Sequence, residues 1–288
     1  MKKIISLIIL GVLSLTMTGC FKRDSFEDIT IYTTAYPIQY ITDYLYGEHS
    51  EVLSIYPNGV AIHDYKLTGK QIEDYSKSSL FIFNGLSPEK DYVIPMVNKN
   101  HNLKIIDTSL SMEYNHEMEE LWLDPSNFLM LTQNIRNGLK EYINNHYLKN
   151  EINERYDELK IKVSEIDANL KLMAESSKNK TIVVSSDLFK FLEKYNFNVI
   201  SLEENSNLLD KTVENVKNMI YRGEIDYIFL KEGEKESKTI KEIRAETNVE
   251  IITLHAIANL TETQKKNNKD YLSLMNENID LLKNELYD

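Results

Sequence analysis

Short apolar runs alternate along this chain with longer stretches whose apolar residues recur every third or fourth position. Residues 29–34 (Ile-Thr-Ile-Tyr-Thr-Thr) are β-branched and aromatic, which predicts a strand. Residues 37–45 predict a helix that stops near Gly47. A second strand, 52–56, is closed by the turn signal Pro57-Asn58-Gly59. A helix over 70–77 leads to a buried strand over 80–83, ending at Gly85. The rhythm resumes downstream with strands at 181–184, 199–202, 227–230 and 250–254. Helices are expected over 188–195, 211–221 and 238–246, with a closing helix over 270–286. This alternation predicts an α/β fold with parallel sheets. In such sheets ligands sit beyond the carboxyl ends of the strands, and His63 follows the second strand at such an end.

The stretch 126–177 separates the two halves. It has no proline and one glycine, Gly138. Its apolar positions, Leu129, Ile135, Leu139, Ile143, Ile152, Tyr156, Leu159, Val163, Ile166 and Leu170, keep helical spacing. An unbroken helix would reach about 75 Å, longer than one lobe, so it connects two lobes or breaks near Asn144-Asn145. The expected architecture is two Rossmann-like lobes, 28–125 and 178–288, joined by a long rigid helix over 126–177.

The first twenty residues follow another rule. Lys2 and Lys3 precede a mostly apolar stretch over 4–17, the length of a signal core and short for a membrane span. Thr18-Gly19 then stands before Cys20, and the arrangement resembles a bacterial lipobox with Met17 where leucine is usual. The expected chemistry is diacylglycerol on the Cys20 sulfur and cleavage before it, leaving 20–27 as a lipidated tether. Two or more acyl chains anchor a protein where one is reversible. Cys20 is the only cysteine of the 288 residues, so neither a disulfide framework nor a cysteine zinc cluster is available.

The remaining composition narrows the functions. Mean hydropathy is −0.39, with 42% hydrophobic residues. Removal of 1–19 takes two lysines and leaves 31 basic against 45 acidic side chains, a net of −14. That balance argues against nucleic acid as a partner and suits cations only diffusely. The chain has no Gly-x-Ser-x-Gly, His-Glu-x-x-His or phosphate loop. Ser186-Asp187, being adjacent, cannot supply triad geometry. No enzyme activity is expected.

Several segments resemble one family in order and spacing. They are Thr33-Thr34-Ala35-Tyr36-Pro37, the stretch Gly47-Glu48-His49-Ser50-Glu51-Val52, then Pro57-Asn58-Gly59-Val60 with His63-Asp64-Tyr65. Phe81-Ile82-Phe83-Asn84-Gly85, Leu121-Trp122-Leu123-Asp124-Pro125, Tyr227 to Leu230 and Leu254-His255 with Leu260-Thr261 continue the match. They look like the zinc- and manganese-binding receptors of ABC importers, the lipoprotein cluster typified by ZnuA and TroA. The resemblance implies an extracellular substrate-binding lipoprotein on the outer face of the bacterial cytoplasmic membrane. It would capture Zn²⁺ or Mn²⁺ between the lobes and deliver it to a permease and its ATPase. A monomer with no catalytic cofactor is expected.

That family holds its dication with four groups from both lobes, and here the positions depart. His63 stands in the first, although the usual Asp-Pro before it is Ala61-Ile62 and a glutamate three residues on is Lys66. Glu120 stands in the second, still an oxygen donor, with His116 nearby. Ser186 stands in the third, either as a weak ligand beside Asp187 or as a helix N-cap. The fourth falls at Lys231, with Glu232 adjacent, and strand alternation lets one of the two face the cleft. The implied metal set is His63, Glu120, Ser186 and Glu232. The other reading is a metal-free binding or adhesin-type lipoprotein in which a Glu120–Lys231 salt bridge takes the metal's place.

Overall fold

The computed structural model describes residues 24–113, 121–205 and 208–287. Cys20, His116 and Glu120 lie outside the described residues.

In the N-terminal half, β1 (Ile29–Thr33), β2 (Ser50–Ser54), β3 (Leu80–Phe83) and β4 (Lys104–Asp107) form one parallel sheet in the order β2-β1-β3-β4. β3 is buried along its whole length, which is why its run is continuously apolar. Helix α1 (Tyr36–Tyr46) starts with Pro37 in its first turn, where the missing N–H costs nothing. Helix α2 (Gly69–Ser76) is opened by Thr68 and Gln71, which form a reciprocal capping box. Two elements have no counterpart in the hydrophobic pattern. Helix α3 (Val93–Lys99) contains Pro95 and buries only Met96. β4 has two apolar residues, Ile105 and Ile106, between Lys104 and Asp107, too short a run to mark a strand.

The connector is two helices. Helix α4 (Pro125–Tyr142) stops three residues before helix α5 (His146–Ser176). The carboxylate of Asp24 accepts the backbone N–H groups of Asn144 and Asn145 at 2.7 Å each, fixing the break. The Asn145 side chain then caps α5. Helix α4 folds back on α5, with Arg136 over the Tyr156 ring at 4.1 Å. A Cβ at Gly138 would sit 2.6 Å from Ile106, so glycine lets α4 lie against β4. Only α5, with 31 residues and about 46 Å of length, runs past both sheets.

The C-terminal half repeats the plan. β5 (Thr181–Val184), β6 (Asn198–Ser201), β7 (Tyr227–Lys231) and β8 (Glu250–Leu254) pair in parallel in the order β6-β5-β7-β8. Helices α6 (Asp210–Tyr221), α7 (Lys238–Glu246), α8 (Glu262–Lys266) and α9 (Tyr271–Leu286) complete it. The segment Asp187–Tyr195 is a 3₁₀ helix, closed by Asn196 in the left-handed region at φ +66°.

One buried apolar cluster runs without interruption from the first sheet through α4 and α5 to α9. Phe128 of α4 stacks on Tyr271 of α9 with centroids 3.8 Å apart. Glu285 ties the end of α9 to β7, accepting the N–H groups of Asp226 and Tyr227. Burial pushes its carboxyl up to about 7. The folded chain therefore holds this proton where the unfolded chain has lost it, and the stability it contributes is complete below about pH 4.5 and lost as pH rises through about 7. The stability difference between the parent and Glu285→Gln, from urea midpoints, should shift against the parent between pH 4.5 and 7. It should then stay level above 7.

Candidate metal site

The loops at the carboxyl ends of the two sheets meet. After β2, the loop over 55–67 carries His63. After β8, the loop over 255–261 crosses to the other lobe. Tyr36 N–H donates to Ala258 O at 3.0 Å and Gly59 N–H to Leu260 O at 2.9 Å. The Asn259 amide reaches Pro57 O at 2.7 Å and Val60 O at 3.1 Å. The Trp122 indole donates to Ala256 O at 2.8 Å, and the Tyr271 hydroxyl to Trp122 O at 2.6 Å. Between these contacts lies Ile257, fully buried, with φ +57°. A β-branched residue there is strained, so the surrounding bonds over-determine the loop.

An interlobe cleft of about 390 Å³ lies against this loop. His63 and Asp64 line it from one lobe, and Lys231, Glu232 and Glu234 from the other. Both members of the Lys231-Glu232 pair therefore border it. The alternation argument applies only inside a strand, and β7 ends at Lys231, with Gly233 turning the chain at φ +82°. Glu232 is held by two donors. Gln264 Nε2 donates to its Oε1 at 2.8 Å, and His255 Nδ1 meets the same oxygen at 3.2 Å. The other ring nitrogen of His255 meets Glu277 Oε2 at 3.2 Å, and Lys269 pairs with Glu277 beyond it. The Glu232 carboxylate, joined by Glu277 and opposed by burial, holds the His255 imidazole above its ordinary pKa.

Ser186 lies elsewhere. Its hydroxyl accepts the Leu188 N–H at 3.3 Å as an N-cap and donates to Glu203 at 3.2 Å. Asp187 pairs with Lys190 at 3.0 Å. The neighbouring Ser185 is the one tied to the cleft, donating to Glu234 Oε2 at 2.9 Å and accepting the Lys231 N–H at 2.9 Å. Among the described residues, no group of three or more His, Cys, Asp and Glu side chains is placed to hold a metal ion. His63 and Glu232 border one cleft, Ser186 does not line it, and Glu120 lies outside the described residues. Ser185, Glu234, Gln264 and Glu277 carry no motif signal, since their roles come from elements that meet only in the fold; His255 lies in the family-like segment Leu254-His255, which assigned it no role.

Residues 31–285 match the model of ZnuA, described as zinc-uptake complex component A, periplasmic. The chain belongs to the ZnuA family. Zinc-binding protein AdcA of Streptococcus pyogenes serotype M1 is 22% identical over 289 residues, covering 88% of this chain and 55% of that protein. The chain thus spans about half the length of that curated relative. The metal ABC transporter substrate-binding lipoprotein of Lactococcus lactis subsp. lactis is 24% identical over 291 residues, covering 92% of this chain and 91% of that one. The Zn(II)-bound ZnuA-like domain of Streptococcus pneumoniae AdcA superposes with a TM-score of 0.75 at 19% identity. That match covers 91% of this chain and 100% of that one, a likeness of fold.

Within this ZnuA-family fold the interlobe contacts are direct. Trp122→Phe would shrink a buried side chain and leave the Ala256 carbonyl without its donor. The lost bond alone should cost about 1–3 kcal/mol, and the space left adds to it, both read from urea unfolding.

Proposed function

We propose that this chain is an exported lipoprotein, anchored through Cys20, that serves an ABC importer as its metal receptor. It takes a divalent transition metal, zinc or manganese, into the interlobe cleft and presents it to a membrane permease and its ATPase. The single observation that supports the reading is that His63 and Glu232 border one cleft from opposite lobes. A neutral imidazole and a carboxylate are the donors Zn²⁺ and Mn²⁺ accept. In this reading Glu120 supplies a further oxygen and Ser186 acts as a cap. Glu232 is already oriented by His255 and Gln264, the kind of support that metal-binding carboxylates use.

A second reading has its own observation. Lys231 borders the same cleft, and an ammonium there opposes a dication. A metal-free binding or adhesin-type lipoprotein, with Glu120 and Lys231 paired in the metal's place, answers to that charge.

Calorimetric titration of the chelator-stripped protein with Zn²⁺ and with Mn²⁺ separates the two. Saturable binding is expected. His63→Ala should weaken it by about a hundredfold or more, at least what loss of a supporting partner costs. Absence of saturation, or indifference to His63→Ala, would remove the metal reading. Lys231→Glu exchanges a repelling charge for an attracting one and should tighten binding; unchanged affinity would exclude Lys231 from the site. Trp122 is the only tryptophan of the chain and sits where the lobes touch, so its emission should report loading.

A further inference from the structure

A second cavity, of about 420 Å³, lies wholly on the N-terminal side, beside the carboxyl ends of β2 and β3. Its floor holds a carboxyl that the cleft does not use. Glu89 is 6% exposed. Its Oε1 accepts the Tyr56 hydroxyl at 3.0 Å. Its Oε2 is buried without a hydrogen-bond partner, as is the hydroxyl of Thr34 beyond the end of β1. The chain steps from β1 to β2 on one side and then crosses back over β1 to β3 on the other. Thr34 and Glu89 thus stand where an open parallel sheet forms its binding crevice.

The rest of the lining is chemically uneven. Tyr56, Tyr65 and Tyr92 supply aromatic wall, the first two edge to face with centroids 5.8 Å apart. Lys66 and Asp91, both exposed, line it with opposite charges, and His63 lines it as well. A buried acid among aromatic rings selects a protonated amine, through charge and through the ring faces. Lys66 offers a partner to a carboxylate at the ligand's other end. The volume lies in the range of small-ligand sites.

We propose that this cavity is a binding site for a small zwitterion of the amino-acid class. Its ammonium sits toward Glu89 and Tyr56, its carboxylate toward Lys66, and its side chain lies against the tyrosines. Burial raises the Glu89 pKa, with nearby hydroxyls, that of Tyr56 among them, opposing the rise. The acid is therefore held toward its neutral form, and an incoming ammonium stabilises the charged one. The cavity shares His63 with the interlobe cleft, whereas Glu89 and Lys66 border the cavity alone. Lys66 breaks the pattern of the metal receptors, and in this role its charge has a use.

The test is calorimetry on the metal-stripped protein with each of the twenty L-amino acids. Tyramine, which lacks the carboxylate, and 3-(4-hydroxyphenyl)propionate, which lacks the amine, are the two dissecting probes. At least one amino acid should bind saturably. Glu89→Gln, close in shape and unable to carry the charge, should weaken it by about tenfold or more, one charged hydrogen bond's worth. Lys66→Ala should lower affinity for the amino acid while leaving that for the matching amine unchanged or higher. Circular dichroism of each variant checks the fold, and if Glu89→Gln does not fold, Tyr56→Phe, which removes only the hydroxyl, should weaken binding instead. Three outcomes overturn the proposal: no saturable binding by the folded protein, binding indifferent to both Glu89→Gln and Lys66→Ala, or binding lost in Glu232→Gln, which would place the ligand in the interlobe cleft. Zn²⁺ affinity in Glu89→Gln should equal the parent's. A loss there without amino-acid binding would make Glu89 part of the metal site and end the zwitterion reading.

Discussion

The loop over 255–261 holds this structure's functional geometry in place. It leaves β8, crosses to the other lobe and is fixed there by backbone bonds to Tyr36 and Gly59 and by the Asn259 amide. Ile257 at φ +57° would relax if those bonds were absent. The cleft is built against this loop, since Ala256, Ala258, Asn259 and Thr261 all line it. The strain at Ile257 is thus borne by the same contacts that set the distance between His63 and Glu232.

The electrostatics of the cleft follow from where β7 ends. Inside a strand, Lys231 and Glu232 would face opposite ways. At its end the Gly233 turn lets both border the cavity, so an attracting and a repelling charge share it. The protein fixes the carboxylate firmly. Glu232 takes Gln264 and His255, and His255 is braced from behind by Glu277 and Lys269. An acid ordered by two donors loses little freedom on meeting a cation, which favours binding.

The fold was largely legible because most strands carry runs of β-branched or aromatic apolar residues. β5, β8 and α7 fall at the residues the pattern predicts. β4 was illegible because it offers only Ile105 and Ile106 between Lys104 and Asp107, and α3 because Pro95 sits inside it. The connector's helical period was legible, but a single rigid helix over 126–177 was expected, with a break at Asn144-Asn145 as the alternative, and the agent of that break, Asp24, lies some 120 residues upstream. The site was legible only where a motif carried it. His63 and the Lys231-Glu232 pair could be located from the family pattern. Ser185 and Ser186 are adjacent and chemically alike, and only the fold shows that the first reaches Glu234 and the second caps a helix. Gln264, His255 and Glu277 come from separate elements that no local sequence signal relates.

A two-lobed receptor is commonly pictured as a jaw that shuts on its ligand. Here the apolar core passes from one sheet to the other without a gap, through α4, α5 and α9, and Phe128 is stacked on Tyr271 across it. Bending such a molecule about its middle would expose packed aromatic surface at about 25 cal/mol per Å². That cost opposes a wide hinge. Movement is cheaper in the loop over 57–66, most of whose residues are exposed. In this chain, then, a ligand would signal its presence by rearranging that loop beside a preformed cleft.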